Sequence, residues 1–433
     1  MQNRKVFIMK ELVVSCAMFA SAAFAAVPVI DAESVTVRQD RGHTVVIEYT
    51  LNPAAEGDSE PAIVTVDILT NAVGGVAASV GAEHLQTLSG DVNRIVGHTA
   101  DGKHKILWKP HREGMPEFTL PAVQVSAQIT VWSTNSPPDY WVVDLTQPAD
   151  RSADRYYPSA GQVPLGVTNI IYKTDRLVFR RISAQGVTWK MGGADNENNP
   201  LHYVTFSYDY WMAIYELTER QHNKLGGSYA DADVDGPFPM GRRFDSWRGA
   251  PDNDSVCKWP QHGHASVDGW MANARGLLGG IMVDLPTRAE WEFACRAGSS
   301  TKYCNGDTEA DLAKVAWYLG NAEGVVHEVG TREPNAWGMY DMHGNRAEWT
   351  LDRCAKMSSD PVWDPVGPRE DDATVTWVNT STAMALCGGG QQNEKTSYKA
   401  AYWFADTCTS DYGTAKMKKQ ILQGGARLVI PLD

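Results

Sequence analysis

Between residues 27 and about 133, apolar and polar positions alternate with a period of two. Ser34–Arg38, Thr44–Thr50, Ala62–Leu69, Lys105–Trp108 and Val123–Trp132 all carry this pattern. It turns every second side chain toward a core and the others toward water. Several short strands separated by turns, with almost no helical period, predict a β-sandwich over residues 27–133. Residues 134–176 are broken by Pro137, Pro138, Pro148, Pro158 and Pro164 and read as a linker, with Tyr140–Val143 a candidate strand inside it.

From Leu177 onward the pattern changes. Phe179–Ile182, Val187–Gly193 and His202–Phe206 are strand-like, and the last two are separated by an Asn-rich acidic turn at Asp195–Asn199. Short helices follow. Thr218 is placed to cap one that ends near Gly226 and Gly227, and Ser266 one that runs through Ala274. Thr287 and Glu290 form a capping box, in which each side chain satisfies the other's orphan backbone amide. The helix behind it should end near Arg296, before Gly298, with Trp291, Ala294 and Cys295 on one face. The remainder is loop-rich. The fold class expected is α+β, an N-terminal β-sandwich followed by an irregular domain over residues 177–433.

Composition sharpens this division. Of 15 tryptophans, 12 follow residue 175. They serve either core packing in a loop-rich fold or an exposed, Trp-rich surface for a protein or glycan ligand. Residues 1–25 read as a signal peptide: Arg4, Lys5 and Lys10 precede a short apolar run, and Ala23-Phe24-Ala25 fits a cleavage site. Val13-Val14-Ser15-Cys16 is a loose match to a lipoprotein box, but the apolar run mostly follows Cys16. The chain is therefore expected to be exported. No apolar stretch is long enough for an integral membrane helix. The formal charge of −13, without a basic run, argues against nucleic acid as a partner.

Cys16 would leave with the signal. Cys257, Cys295, Cys304, Cys354, Cys387 and Cys408 remain. An even count in an exported chain suggests disulfides, but spacing does not choose the pairing. The absence of a C-x-x-C element removes the zinc-ribbon and thioredoxin readings.

One stretch concentrates candidate chemistry. Asn335–Trp349 sets Trp337, Tyr340 and Trp349 among the turn formers Asn335, Gly338, Gly344 and Asn345. Asp341, Asn345 and Glu348 are close enough in sequence to meet on one hard cation. They could equally cap turns.

The chain resembles a known family. Gly186–Gly193, Tyr215–Thr218, Leu285–Ala294, Ala316–Tyr318 and Asn335–Trp349 occur in the order seen in the sulfatase-modifying-factor family, the formylglycine-generating-enzyme domain. The N-terminal module resembles exported bacterial multidomain versions. The resemblance implies an enlarged C-type-lectin-like fold with structural calcium, for which Gly344–Glu348 would supply Asn345 and Glu348. It also implies an activity, oxidation of a protein cysteine to formylglycine, with two cysteines holding Cu(I). Thiolates suit that soft ion. Here the segment Cys387-Gly388-Gly389-Gly390-Gln391 replaces the family's Arg-Gly-Gly-Ser-Trp. The positions matching the copper cysteines are roughly Asn393 and Tyr398, and the closing Gly-Phe-Arg is Gly425-Ala426-Arg427.

Copper chemistry is accordingly not expected. Cys387 and Cys408, with Cys295 and Cys304, stay as candidate disulfide or redox cysteines. Relatives that oxidise sulfur with non-haem iron use H-x-x-x-H, whereas His262-Gly263-His264 has the wrong spacing. The expectation is an exported protein without formylglycine-generating activity, acting as a binding or structural module. The alternatives are an oxidase of that type and a glycan-binding lectin-like protein.

Overall fold

The computed structural model describes residues 27–55, 60–72, 75–120, 123–194, 196–227, 236–242, 244–248, 269–368, 374–377, 383–390, 399–400, 403–407 and 424–432. The chain divides into two compact units, one of residues up to Trp141 with Asp154–Val167, the other Val142–Ala153 with Thr168–Asp433. The proline-rich stretch is divided between them. It contributes strands Tyr140–Asp144 and Arg155–Tyr157 and a short helix, Ile171–Thr174.

In the first unit the alternating runs become strands. Val29–Gln39, Val45–Asn52 and Lys103–Trp108 form an antiparallel sheet, in which Val45 pairs with Trp108 and Thr50 with Lys103. Ala62–Ala72 pairs antiparallel with Val123–Ser133 along its whole length, and with Arg94–Val96 at its start. The inward positions of both sheets, among them Val45, Ile47, Tyr49, Val64, Val66, Ile68, Ile106 and Trp108, share one core. Two sheets closing on a common apolar layer make the β-sandwich that the period-two pattern demands.

The second unit is α+β with short elements. Arg176–Ile182 pairs antiparallel with Asp209–Ala213, which pairs in turn with Val429–Leu432 near the C-terminus. Thr188–Met191 and His202–Thr205 form a hairpin, with Val362–Trp363 added in parallel. Glu348–Arg353, Ala383–Cys387 and Trp403–Thr407 form a third sheet. The expected capping box is present, and Thr218 with Gln221 and Thr308 with Asp311 form two more. Thr218 and Gln221 start helix Glu219–Lys224, and Thr287 and Glu290 start helix Arg288–Arg296. The second helix stops where Ala297 adopts φ 47° and Gly298 φ 87°, a left-handed exit that glycine permits. The helix expected to end at Ala274 spans Trp270–Leu277 and begins at Gly269. Ser266 lies outside the described residues.

Tryptophan usage is mainly a packing device. Trp211, Trp247, Trp270, Trp291 and Trp349 are buried. Large rings fill the space between short elements that offer few aligned aliphatic rows. Trp189, Trp317, Trp337 and Trp377 are half-buried, and among the described residues Trp363 alone is exposed, at 69% of its surface.

Candidate functional site

Asn335–Trp349 is a junction between elements, and each polar side chain in it has a definite task. Asn335 Nδ2 donates to the carbonyls of Ala294 (2.7 Å) and Cys295 (3.1 Å), occupying C-terminal carbonyls of the 288–296 helix. Its Oδ1 accepts from the amides of Trp337 and Met339, which closes the local turn. Gly344 runs against Trp317; a Cβ there would sit 2.2 Å from the Trp317 carbonyl oxygen. Asp341 and Asn345 both take left-handed backbone, φ 59° and 64°, a region that Asp and Asn tolerate better than most residues.

The residues expected to bind calcium are both fully buried. Asn345 Oδ1 accepts from the His327 amide at 2.8 Å, while its Nδ2 donates to Glu216 Oε2 (2.8 Å) and to the His327 carbonyl (3.1 Å). Glu348 has other partners. Its Oε1 accepts from Arg427 Nη2 at 2.6 Å, and its Oε2 accepts from Arg427 Nε (3.0 Å) and Trp291 Nε1 (2.7 Å). Every side-chain oxygen of the pair thus already accepts from an N–H donor. A hard-cation shell wants oxygens free to turn inward, so this donor set, already taken up by N–H groups, does not fit one. Among the described residues, no group of three His, Cys, Asp or Glu side chains is arranged to hold a metal ion.

A buried charge network appears instead. Arg427 bridges Glu348 to the backbone carbonyls of Ala213 (3.1 Å) and Tyr340 (2.8 Å). Glu216 accepts from Asn345 and from the Arg346 amide at 2.9 Å. Asp341 Oδ2 accepts from the Gly330 amide at 2.6 Å, but its buried Oδ1 has no partner. Burial first, then the neighbouring Asp341 and Glu348 carboxylates, holds Glu216 well above the ordinary carboxylate range. Burial likewise pushes Asp341 up to about 6, against the pull of the Gly330 amide and Arg427.

The cysteines lie nearby. Cys295, Cys304 and Cys387 carry free thiols. Cys295 ends the 288–296 helix face beside His343, with its Sγ 3.5 Å from Nε2. Cys304 is half-buried in the turn that follows, and its amide donates to the same Nε2 at 2.9 Å. Cys387 is buried at the end of strand Ala383–Cys387. Burial pushes the Cys295 and Cys387 thiols well above their usual range and Cys304 up to about 12. Cys257, Cys408, Asn393, Tyr398, His262 and His264 lie outside the described residues.

Sequence reasoning placed Asn345 and Glu348 correctly in one loop system but missed their true partners, Glu216, His327, Trp291 and Arg427. The readable signal for Arg427 was the closing Gly425-Ala426-Arg427 element. The others lie 18 to 129 residues from their partners and are not marked by any spacing.

Residues 173–414 match the family described as the sulfatase-modifying factor enzyme 1-like domain. A formylglycine-generating enzyme of Mycobacterium tuberculosis (strain ATCC 25618 / H37Rv) is 40% identical over 77 residues, 15% of this chain and 26% of that protein. The chain thus spans about a quarter of the curated relative it matches. Among solved structures, Treponema denticola variable protein 1 is similar over 59% of this chain and 95% of its own, at 21% identity and TM-score 0.44. PvdO from Pseudomonas aeruginosa is similar over 58% of this chain and 94% of its own, at 18% identity and TM-score 0.39.

Proposed function

Because the chain belongs to the sulfatase-modifying factor enzyme 1-like domain family over residues 173–414, we propose that it keeps that family's scaffold without formylglycine-generating activity. It acts, on this reading, as an exported binding or structural module. Export rests on the signal-like residues 1–25. The observation that carries the proposal is chemical. Asn393 and Tyr398 stand where copper-binding cysteines would be expected, and neither amide nor phenol replaces a thiolate toward Cu(I). Two of the described thiols are poor substitutes. Cys295 and Cys387 are buried, and burial disfavours the thiolate that binds metal. Titration with Cu(I) under reducing conditions, read by native mass spectrometry, should show no stoichiometric uptake. Tight one-to-one binding would overturn this reading.

A second reading, glycan recognition, is favoured by the outward face of the 188–191, 202–205 and 362–363 sheet. Lys190 pairs with Tyr203 there, and Thr205 with both Thr188 and Trp363. Tyr203 is 48% and Trp363 69% exposed. The Lys190 ammonium lies 5.5 Å from the Tyr203 ring centre. Thr205 is buried and its hydroxyl is bonded to that of Thr188, so the exposed rings are what suits stacking on a sugar. A glycan array should then give hits that Trp363→Ala abolishes; an array without hits removes the sugar and leaves the module without a glycan role.

A further inference from the structure

Three of the six cysteines that follow the signal-like segment converge on one place in the second unit, and the loop network described above does not use their thiols. Cys295 lies in the last turn of helix Arg288–Arg296, and Cys304 in the four-residue turn closed by Tyr303 and Gly306. Eight residues separate the two in sequence, yet both approach one imidazole nitrogen. His343 Nε2 accepts from the Cys304 amide at 2.9 Å and lies 3.5 Å from Cys295 Sγ. That acceptor role puts the ring proton of a neutral His343 on Nδ1. The Cys295 carbonyl is held at 3.1 Å by Asn335 Nδ2, which fixes the backbone that carries the first thiol. Tyr303 stacks edge-on against the His343 ring at 5.8 Å, which steadies the second.

We propose that Cys295 and Cys304 are a dithiol pair that a low-molecular-weight disulfide oxidises to one intramolecular disulfide, with His343 holding the two segments side by side. Cys304 is the entry point because it is half-exposed, whereas Cys295 and Cys387 are buried. The Cys304 thiolate attacks the reagent disulfide and forms a mixed disulfide. One reagent thiolate leaves and takes up the proton that Cys304 lost. The Cys295 thiolate then attacks Cys304 Sγ, the protein disulfide forms, and the second reagent thiolate leaves and is protonated. Two electrons pass from the protein dithiol to the reagent, which ends as two thiols. Burial raises both protein thiols, and Cys304 raises Cys295 further. Closure is therefore slow near neutral pH and quickens roughly tenfold per pH unit, because the thiolate is the nucleophile. Cys387 also lies close enough to act on Cys295 electrostatically. It is buried and not reachable from solvent.

The test uses the full chain and oxidised glutathione at pH 8.5, followed by alkylation under denaturing conditions and tryptic mapping. The expected result is loss of two alkylatable thiols and a cross-link between the peptides spanning 289–296 and 303–314, which hold Cys295 and Cys304. Cys304→Ser should leave Cys295 fully alkylatable after the same treatment, and circular dichroism of that variant confirms folding. A cross-link from Cys295 to Cys387 or to any other cysteine overturns the assignment. So does retention of both thiols, or loss of the Cys295 thiol in Cys304→Ser.

Discussion

Replacing Arg427 with Met should cost about 3–5 kcal/mol of unfolding free energy, because it leaves the Glu348 carboxylate buried without its counter-charge. Both side chains are essentially inaccessible. Arg427 makes its closest contact to Glu348 at 2.6 Å and also holds the Ala213 and Tyr340 carbonyls. The variant therefore strands one charge and two backbone acceptors. A domain is typically stable by only about 5–15 kcal/mol, so such a loss would be severe. Arg427→Lys should lose less, since an ammonium keeps the charge but not the planar fork. Pairing Arg427→Met with Glu348→Leu should recover much of the loss, because the charge that needed compensation is gone. Urea unfolding followed by tryptophan fluorescence reads the second unit, since 12 of 15 tryptophans follow residue 175. A loss below about 1 kcal/mol for Arg427→Met, in the range of exposed pairs, would show that the pair is not the buried link described here.

The second unit should become less stable as pH rises from about 4 to 6, by about 2 kcal/mol from Asp341 alone. Asp341 has a folded-state value of about 6 against 3.8 for the free group, set mainly by burial. Between those values the folded chain holds a proton that the unfolded chain has released. Stability from this group is thus complete below about 4 and is lost as pH climbs through 6. Glu216, raised by burial and by the same carboxylates, adds to the slope with the same sign. Asp341→Asn should flatten the profile over that window, because an amide does not titrate. Unfolding midpoints at half-unit steps from pH 4 to 6.5, compared between parent and variant, isolate the effect. Identical slopes in the two proteins would contradict the assignment.

Much of the fold was legible in the sequence because local rules governed it. The sandwich strands follow from period-two alternation, and the 288–296 helix from Thr287, Glu290 and Gly298. The tertiary tasks of the loop residues were less legible. Asn345 and Glu348 read as cation ligands because they are oxygen-bearing and close in sequence. Folding gives them partners 18 to 129 residues away. Their role depends on which N–H groups arrive from elsewhere, and no spacing within the loop encodes that. The same holds for Cys295 and Cys304, whose shared contact with His343 exists only once the helix, the turn and the loop have packed together.

On the function proposed above, the family scaffold persists here without its oxidative chemistry. The most direct measurement incubates the protein with copper, oxygen, a thiol reductant and a sulfatase-type cysteine peptide, and reads aldehyde formation by hydrazide capture and peptide mass. The expected result is no aldehyde above the protein-free control. Catalytic conversion of the peptide cysteine to formylglycine would contradict it.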